Sequence, residues 1–581
     1  MAALSASVNI IPMKPYLFLK QPWALPLFVL ATCAQAADPM PANPGEQTSI
    51  RERQERLIEE QRRRLRDLQQ LPGTTPQEPE PQTVPSPECL TIDSIEIQGA
   101  DLLSIEAREG LTRQYLQQCL GVTQFNHLLR DITASYLERG RVTSRAYLPE
   151  QNLASGHLLI QVIEGRLEGV HGAAGGVTSR ELAMAFPGQP GAVLDLREIE
   201  QLVDQLNRLP SRRTSVELTP GRSVGSSNVQ VSDNPQKPWR VSLLRNNSGQ
   251  KSTGEQQWGV GLAWDSPLGL ADQLNLRANH DAQSDSARSA DNSLLNYNVP
   301  WGWWNFNYSY SRSHYRSTIQ TEALRFTYSG SSQSHQLQAE RVIYRDTLSK
   351  TSLSAGIAHM RTESYARNTL LAGSSPRITE AQFGINHGRR VAGAFVNLDL
   401  GLQQGIGALD AQSDRDRGPG KQTARYRKYT ATASYLVPFR LWDESFTFTS
   451  LATGQLSENV LYNAQRMSIG GHTSVRGFKD QYLSGDTGGY WRNELRWSRP
   501  VAWDWMRSTL AEYGAALAYD QGVISNTGHA GDQHGRLSGN ALELFARGRH
   551  LSMGLTFAHS RQRAAGVERD SPVYFHVDLT F

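Results

Sequence analysis

The chain ends on Val573-Tyr574-Phe575-His576-Val577-Asp578-Leu579-Thr580-Phe581, where apolar and polar side chains alternate without a break. Successive side chains of an extended strand point to opposite faces. Val573, Phe575, Val577, Leu579 and Phe581 therefore share one face, and Tyr574, His576, Asp578 and Thr580 the other. A soluble domain can close on one such strand, but here the two-sided pattern recurs from about residue 239 onward. Trp258, Val260, Leu262 and Trp264 alternate with Gly259, Gly261 and Ala263, and Trp304, Phe306, Tyr308 and Tyr310 alternate with Asn305, Asn307, Ser309 and Ser311. Near the end Trp491, Asn493, Leu495 and Trp497 oppose Arg492, Glu494 and Arg496. A face with three charges is costly in lipid and comfortable in a wet lumen. A soluble β-sandwich would have to expose the aromatic face or bury the charged one. The pattern predicts a transmembrane antiparallel β-barrel over 239–581 with Arg492, Glu494 and Arg496 facing the lumen. At about 21 residues per strand and connection this gives about 16 strands, the even number such barrels carry.

Composition agrees with this reading. Eleven of the 12 tryptophans lie between Trp239 and Trp505, as expected of aromatic belts at a lipid interface. The net charge of +3 does not point to nucleic acid. At the amino terminus Lys14 and Lys20 precede the apolar stretch Trp23 to Ala31, and Ala34-Gln35-Ala36 offers small residues for cleavage. Residues 1–36 therefore read as a signal peptide, starting at Met1 or Met13, and a membrane anchor is disfavoured by the short apolar part and Pro26. Removing the signal removes Cys33 and leaves Cys89 and Cys119 in an oxidising compartment. They form either a disulfide, joining the start of a strand to the end of a helix, or two separate buried thiols. No histidine or third cysteine stands near either, so no metal is expected.

The segment 37–70 carries a run of helix formers from Ile50 to Gln70. Glu52–Arg56, Glu59–Arg63 and Glu60–Arg64 are acid-first i,i+4 pairs, and the apolar stripe of Ile50, Leu57, Leu65 and Leu68 is thin. A helix this polar would not rest in a bilayer, and at roughly 30 Å it is long enough to fill a water-lined channel. A solvated tether or a weak coiled coil is the other reading. Residues 71–87, with six prolines, form a linker. Two small strand-and-helix modules follow at 88–164 and 165–238. In the first, a strand is predicted over Thr91–Ile97, helices near 105–116 and 124–138, and strands over Val142–Leu148 and Leu158–Ile163. In the second, Leu196, Ile199, Val203, Leu206 and Leu209 recur at helical spacing and bury a face against a sheet. An apolar groove beside this helix, with Leu196, Ile199, Val203 and Leu206, is the candidate substrate-binding surface.

One connection is out of proportion to the others. More than thirty residues separate the strand around Phe446–Ala452 from the one beginning at Tyr490, and they contain Gly470-Gly471-His472-Thr473-Ser474-Val475-Arg476-Gly477-Phe478. Long loops in economical proteins usually have a function or are disordered. If this one folds into the lumen, Arg476 needs an acidic partner, and Asp520 in Tyr519-Asp520-Gln521-Gly522 is a candidate.

These motifs together resemble the outer-membrane transporters of two-partner secretion, the haemolysin secretion and activation proteins, over nearly all of the mature chain. Thr143-Ser144-Arg145-Ala146-Tyr147-Leu148-Pro149-Glu150-Gln151 is similar to the signature of the family's first polypeptide-transport-associated (POTRA) module, and Asp195 to Pro210 to the long helix of the second. Asn246-Asn247-Ser248-Gly249 with Thr253-Gly254, then Asp265-Ser266-Pro267-Leu268-Gly269-Leu270, resembles the start of the family's barrel. Val475-Arg476-Gly477-Phe478 matches the tip of its pore loop. The resemblance implies a sixteen-stranded barrel, two periplasmic POTRA modules, a plug helix at Ile50–Gln70 and pairing of Arg476 with Asp520 on the barrel wall. It also implies that terminal Phe581 is an address for the barrel-insertion machinery. The family often has a large aromatic two residues before that aspartate, where this chain has Ala518.

The function so implied is secretion of an unfolded exoprotein to the cell surface without nucleotide hydrolysis. The cognate secreted protein, outer-membrane lipids and lipopolysaccharide are the expected partners of a monomer. No cofactor is expected, and no Walker-type motif or catalytic constellation indicates an enzyme. The related barrel-assembly proteins are the alternative, but they call for more modules and have little need for a plug. A passive porin would leave residues 88–238 without a role.

Overall fold

The computed structural model describes residues 44–71, 89–174, 176–283, 287–320, 325–414, 420–507, 509–526 and 533–581. The expected signal peptide and nearly all of the proline-rich linker lie outside these residues. Sixteen long antiparallel strands, from Trp239–Asn246 to Val573–Thr580, pair in sequence order and close on themselves, with a two-residue strand, Thr369–Leu370, folded onto Ser349–Ala366. Closure runs from His576 opposite Asn246 to Thr580 opposite Ser242. Val241 and Phe581 exchange backbone bonds at 3.2 and 2.9 Å beyond that register. At the other end the Asn247 amide stands in for a strand, donating to the Val573 carbonyl and accepting from the Phe575 N–H, both at 2.8 Å. A sheet in hydrocarbon must pair its last edge with its first.

Trp258, Val260, Leu337, Leu353 and Phe383 are exposed on the outer face, and the alternate positions turn inward. Short turns such as the one joining Trp301 to Trp304 lie at the end that meets the second module, and Trp301, Trp442, Trp503 and Trp505 are exposed near that rim.

In the first module Ser94–Gln98 runs parallel to His157–Ile163, which pairs antiparallel with Arg145–Tyr147. Helices Ile105–Thr112 and Val122–Glu138 cover this sheet over a core that includes Leu128, Ile132, Tyr136 and Ile160. The strand expected over Thr91–Ile97 is broken at Asp93, where the N–H groups of Asp93 and Ser94 both donate to the Gly156 carbonyl. Its first part, Leu90–Ile92, pairs instead with Gln118–Leu120. Cys119 thus lies on a strand opposite Thr91 and not at a helix end, and it is bonded to Cys89.

In the second module Arg166–Gly172 is parallel and Thr214–Pro220 antiparallel to the central strand Ser226–Asp233. Helix Leu196–Asn207 is capped by Asp195, whose side chain accepts from the Arg197 N–H. The four residues expected to line a groove beside this helix divide between the core and partial exposure. Ile199 and Leu206 are sealed in the module's core, and Leu196 and Val203 are half-buried. The reverse face does not look onto solvent either. Gln201 and Gln205 donate to the Gly302 carbonyl in a barrel turn at 3.2 and 3.0 Å. Arg345, with 2% of its side chain exposed, bridges Glu200 at 3.0 Å and Asp204, and Lys350 reaches Asp204 at 3.2 Å. The face carrying Glu200, Gln201, Asp204 and Gln205 serves as the joint between module and barrel.

The alternation can be tested on neighbouring residues. Leu337→Arg, on the lipid face, should destabilise the barrel by about 2–4 kcal/mol, and Gln336→Arg, on the lumen face, by much less. Reversible denaturation in lipid vesicles measures both, and equal costs would contradict the assigned faces.

Candidate functional site

The connection between strands Glu444–Ser457 and Gly488–Pro500 turns back into the barrel. Its stem is a short hairpin of Met467–Ile469 with Leu483–Gly485. At the bend Gly470 and Gly471 have φ of 115° and 91°, a region that side chains with a Cβ rarely adopt. The Ser474 hydroxyl closes the turn by accepting from the Gly470 N–H and donating to the Gly470 carbonyl, both at 2.9 Å. Val475 and Phe478 are fully buried among Ile469, Leu483, Tyr490, Ile524 and Leu537. A Cβ on Gly477 would sit 2.7 Å from the His559 carbonyl oxygen, so the loop backbone lies directly on strand backbone there.

Between these apolar anchors Arg476 points into the wall. Its Nε and Nη2 donate to the two oxygens of Asp520 at 2.7 and 2.8 Å, its backbone N–H donates to Asp520 at 3.1 Å, and Nη1 donates to Glu494 at 2.8 Å. The Asp520 side chain is wholly buried. Burial by itself would lower the pKa of Arg476, but the two carboxylates outweigh it and the net shift is upward. The three charges expected to line an open lumen belong to this dock. Glu494 also meets Arg496 at 3.1 Å, and Arg492 donates to the Thr473 carbonyl of the loop at 2.8 Å. His472, next to Thr473, is half-buried and approaches Glu55 of the helix Pro44–Gln69 at 3.9 Å.

Tyr574 is the residue that the sequence reading missed. From the closing strand its hydroxyl donates to the Arg476 carbonyl at 3.1 Å and lies 3.4 Å from that of Phe478. Its ring packs with Ala518, Ala541 and Ala558. The missing aromatic at position 518 is thus matched by a ring from another strand, and three alanines leave room for it. The signal was an aromatic on the otherwise polar face of the terminal strand. Tyr519 faces outward and is exposed, as strand alternation requires.

A second polar element meets the same loop. Helix Pro44–Gln69 already includes residues before Ile50, its expected start. Near its start Gln54 donates to the Ser468 carbonyl at 2.7 Å and accepts from Thr473 at 2.6 Å, and Arg51 donates to the Ser248 carbonyl at 2.8 Å. Near its end Arg64 meets Glu60, Glu340 and Asp399 at 2.7, 3.0 and 3.5 Å. One turn earlier Gln61 donates to Asp399 at 2.6 Å and accepts from Asn397 and Ser434. Leu65, Leu68 and Leu71 bury against Phe395. Of the expected intrahelical pairs Glu60–Arg64 forms, whereas Glu52 accepts from Asn292 at 2.8 Å and Glu59 lies 3.6 Å from Arg277. These helix side chains and inward-facing strand residues line a cavity of about 1050 Å³. Among the described residues no cluster of His, Cys, Asp and Glu is suited to a metal ion.

Comparison with known proteins places this geometry. Residues 225–546 match the family described as haemolysin secretion/activation protein ShlB/FhaC/HecB, residues 90–165 a ShlB-type POTRA domain and residues 166–220 a POTRA domain. The chain is 33% identical over 540 residues to the outer membrane transporter CdiB of Dickeya dadantii, covering 93% of this chain and 95% of that one. It is 29% identical over 404 residues to the hemolysin transporter protein HpmB of Proteus mirabilis, covering 69% and 71%. The solved CdiB from Escherichia coli superposes with a TM-score of 0.87 at 33% identity, covering 93% of this chain and 99% of that one. CdiB from Acinetobacter baumannii, at 21% identity and a TM-score of 0.75 over 93% and 99%, shares the fold.

Removing one partner from the loop dock leaves a buried charge unmatched. Arg476→Ala and Asp520→Ala should each weaken loop docking by about 3–5 kcal/mol, and the double variant should cost much less than their sum. Protease cleavage within 458–487 and thermal unfolding measure this, and strict additivity would show that the two residues are not coupled.

Proposed function

The chain belongs to the haemolysin secretion/activation protein family, and from that membership we propose that the helix Pro44–Gln69 plugs a secretion pore whose loop dock at Arg476 sets its gating. The protein is a transporter of the outer membrane and not an enzyme. Its two periplasmic POTRA modules recognise an exoprotein, which crosses the membrane through the barrel. The observation that carries the plug reading is the helix's largely polar attachment, with hydrogen bonds to the loop at one end and to inward-facing strand residues at the other, beside one apolar contact of Leu65 and Leu68 with Phe395. A purely hydrophobic seal would resist withdrawal into water, whereas these bonds exchange for bonds to water.

Recruitment by β-strand addition is supported by the edge strands of the module sheets, such as Ser94–Gln98 and Thr214–Pro220, each paired on one side only. On helix Leu196–Asn207 the half-buried Leu196 and Val203 remain for side-chain selection beside those edges, whereas Ile199 and Leu206 are sealed in the core. The partner is a cognate secreted protein of the two-partner type, delivered unfolded and drawn outward by folding at the surface. Phe581, exposed at the end of the closing strand, serves as the address for barrel insertion. The transporter acts as a monomer in contact with lipid and lipopolysaccharide.

Removing residues 44–69 should raise single-channel conductance in planar bilayers, and unchanged conductance would favour a tether over a plug. Arg476→Ala should lower export of the cognate protein severalfold while its level in the outer membrane stays near normal. Undiminished export would remove the gating role from the loop dock.

A further inference from the structure

Opposite walls of the lumen differ in chemistry. On strand Trp304–Gln320 the inward positions from Asn305 to Ser313 are all Asn or Ser. The neighbouring strands continue this surface in register, with Asn296, Ser309 and Gln336 side by side and Ser311 opposite Ser334. Half-way round the sixteen-strand circuit stands Glu512–Ile524, flanked by the charges of Arg492, Glu494, Arg496 and Glu543. Those charges are engaged with the folded-in loop or with one another. The cavity beside the helix is lined along the neutral strands, including Asn307, Ser311, Ser334 and Gln336. Asn298 and Asn305 also line it, and their side-chain carbonyl oxygens accept no hydrogen bond among the described residues.

We propose that the exported chain runs along this neutral wall, formed by strands Arg288–Trp301, Trp304–Gln320 and Arg325–Arg345, and that the charged half stays occupied by the loop. The proposal rests on the secretion reading and adds a path to it. The ligand is an extended, unfolded polypeptide of mixed sequence. Amide and hydroxyl side chains both donate and accept, so they bond the backbone of any passing residue whatever its side chain. Over Asn292–Asn298, Asn305–Ser313 and Ser332–Gln338 the inward positions carry no formal charge, and Glu340 at the module end is paired with Arg64, so the wall holds neither acidic nor basic residues in place, which suits a surface that must release every residue it binds. The charged wall offers fixed ionic partners and is already filled.

The test uses the full chain in cells with its cognate exoprotein, identified as the polypeptide whose appearance outside the cell depends on this chain, and stalled by a disulfide-closed domain at its carboxyl terminus. A photoreactive residue at Ser311 or Gln336 should give strong adducts with the stalled polypeptide, and one at Thr556, on the lumen face of the charged half, weak ones. Ser311→Glu with Ser334→Glu should lower export roughly tenfold, and Thr556→Glu should leave it within twofold, both at matched barrel levels. Equal adducts from both walls, or equal loss of export from Thr556→Glu, would overturn the path and leave the secretion reading intact. If no polypeptide depends on this chain for its export, the secretion reading fails and the path falls with it.

Discussion

A guanidinium buried in a protein wall must find carboxylates within reach, and Arg476 finds two. Removing either charge strands the other, at a cost of several kcal/mol. The long loop can therefore enter the barrel only in the register that brings Arg476 to Asp520. Val475 and Phe478 then fill the pockets beside it, the flexible glycines make the turn, and Tyr574 closes the site from the last strand. Because Tyr574 comes from the strand that seals the barrel, loop docking and barrel closure share a residue.

The same device recurs wherever a separate element meets the barrel. Arg345 bridges Glu200 and Asp204 of the second module, and Arg64 joins the helix to Glu340 and Asp399. Each junction is an arginine fork on two or more carboxylates, which fixes geometry well. Such a pair is weak evidence of net stability compared with apolar packing of the same volume. Its strength also depends on the surroundings. Two unit charges 4 Å apart attract by about 4 kcal/mol at an effective dielectric constant near 20 and by about 1 kcal/mol in bulk water. A junction of this kind holds while dry and loosens as water enters, which suits parts that shift to let a polypeptide through.

Much of this was legible in the sequence, for identifiable reasons. Period-two alternation of aromatic against small or charged residues has one physical reading over a span as long as 239–581, and it gave the barrel and its strand number. An arginine in a confined loop needs an acid, which made Asp520 a candidate for Arg476, and the resemblance to the family named the two as a pair. What stayed hidden depended on contacts between distant segments. The apolar stripe of Leu196–Asn207 said that one face is buried, but nothing in the local sequence said that Glu200, Gln201, Asp204 and Gln205 on the reverse face would meet Gly302 and Arg345. Tyr574 was hidden in the same way, since its partners are backbone carbonyls that no side-chain pattern reveals. The break at Asp93 was missed because Ile92, Ile95 and Ile97 fit a continuous strand, whereas the paired N–H groups at Gly156 decide otherwise.

The two halves of the lumen follow from this division of labour. Parts that must be placed are held by charges, with neutral hydrogen bonds such as those of Gln54, Gln201 and Tyr574 beside them. A surface along which a chain slides has the opposite requirement. A neutral hydrogen bond contributes about 0.5–1.5 kcal/mol net and is replaced by the next one along the chain, whereas a desolvated ion pair of several kcal/mol would hold one residue until water freed it. Asn305, Asn307, Ser309, Ser311 and Ser313, in strict alternation with outward aromatic and polar residues, keep ionic traps off one wall along much of a strand. The fold can separate the two chemistries because the loop returns to the wall half-way round the barrel, where Asp520 anchors it away from the neutral strands.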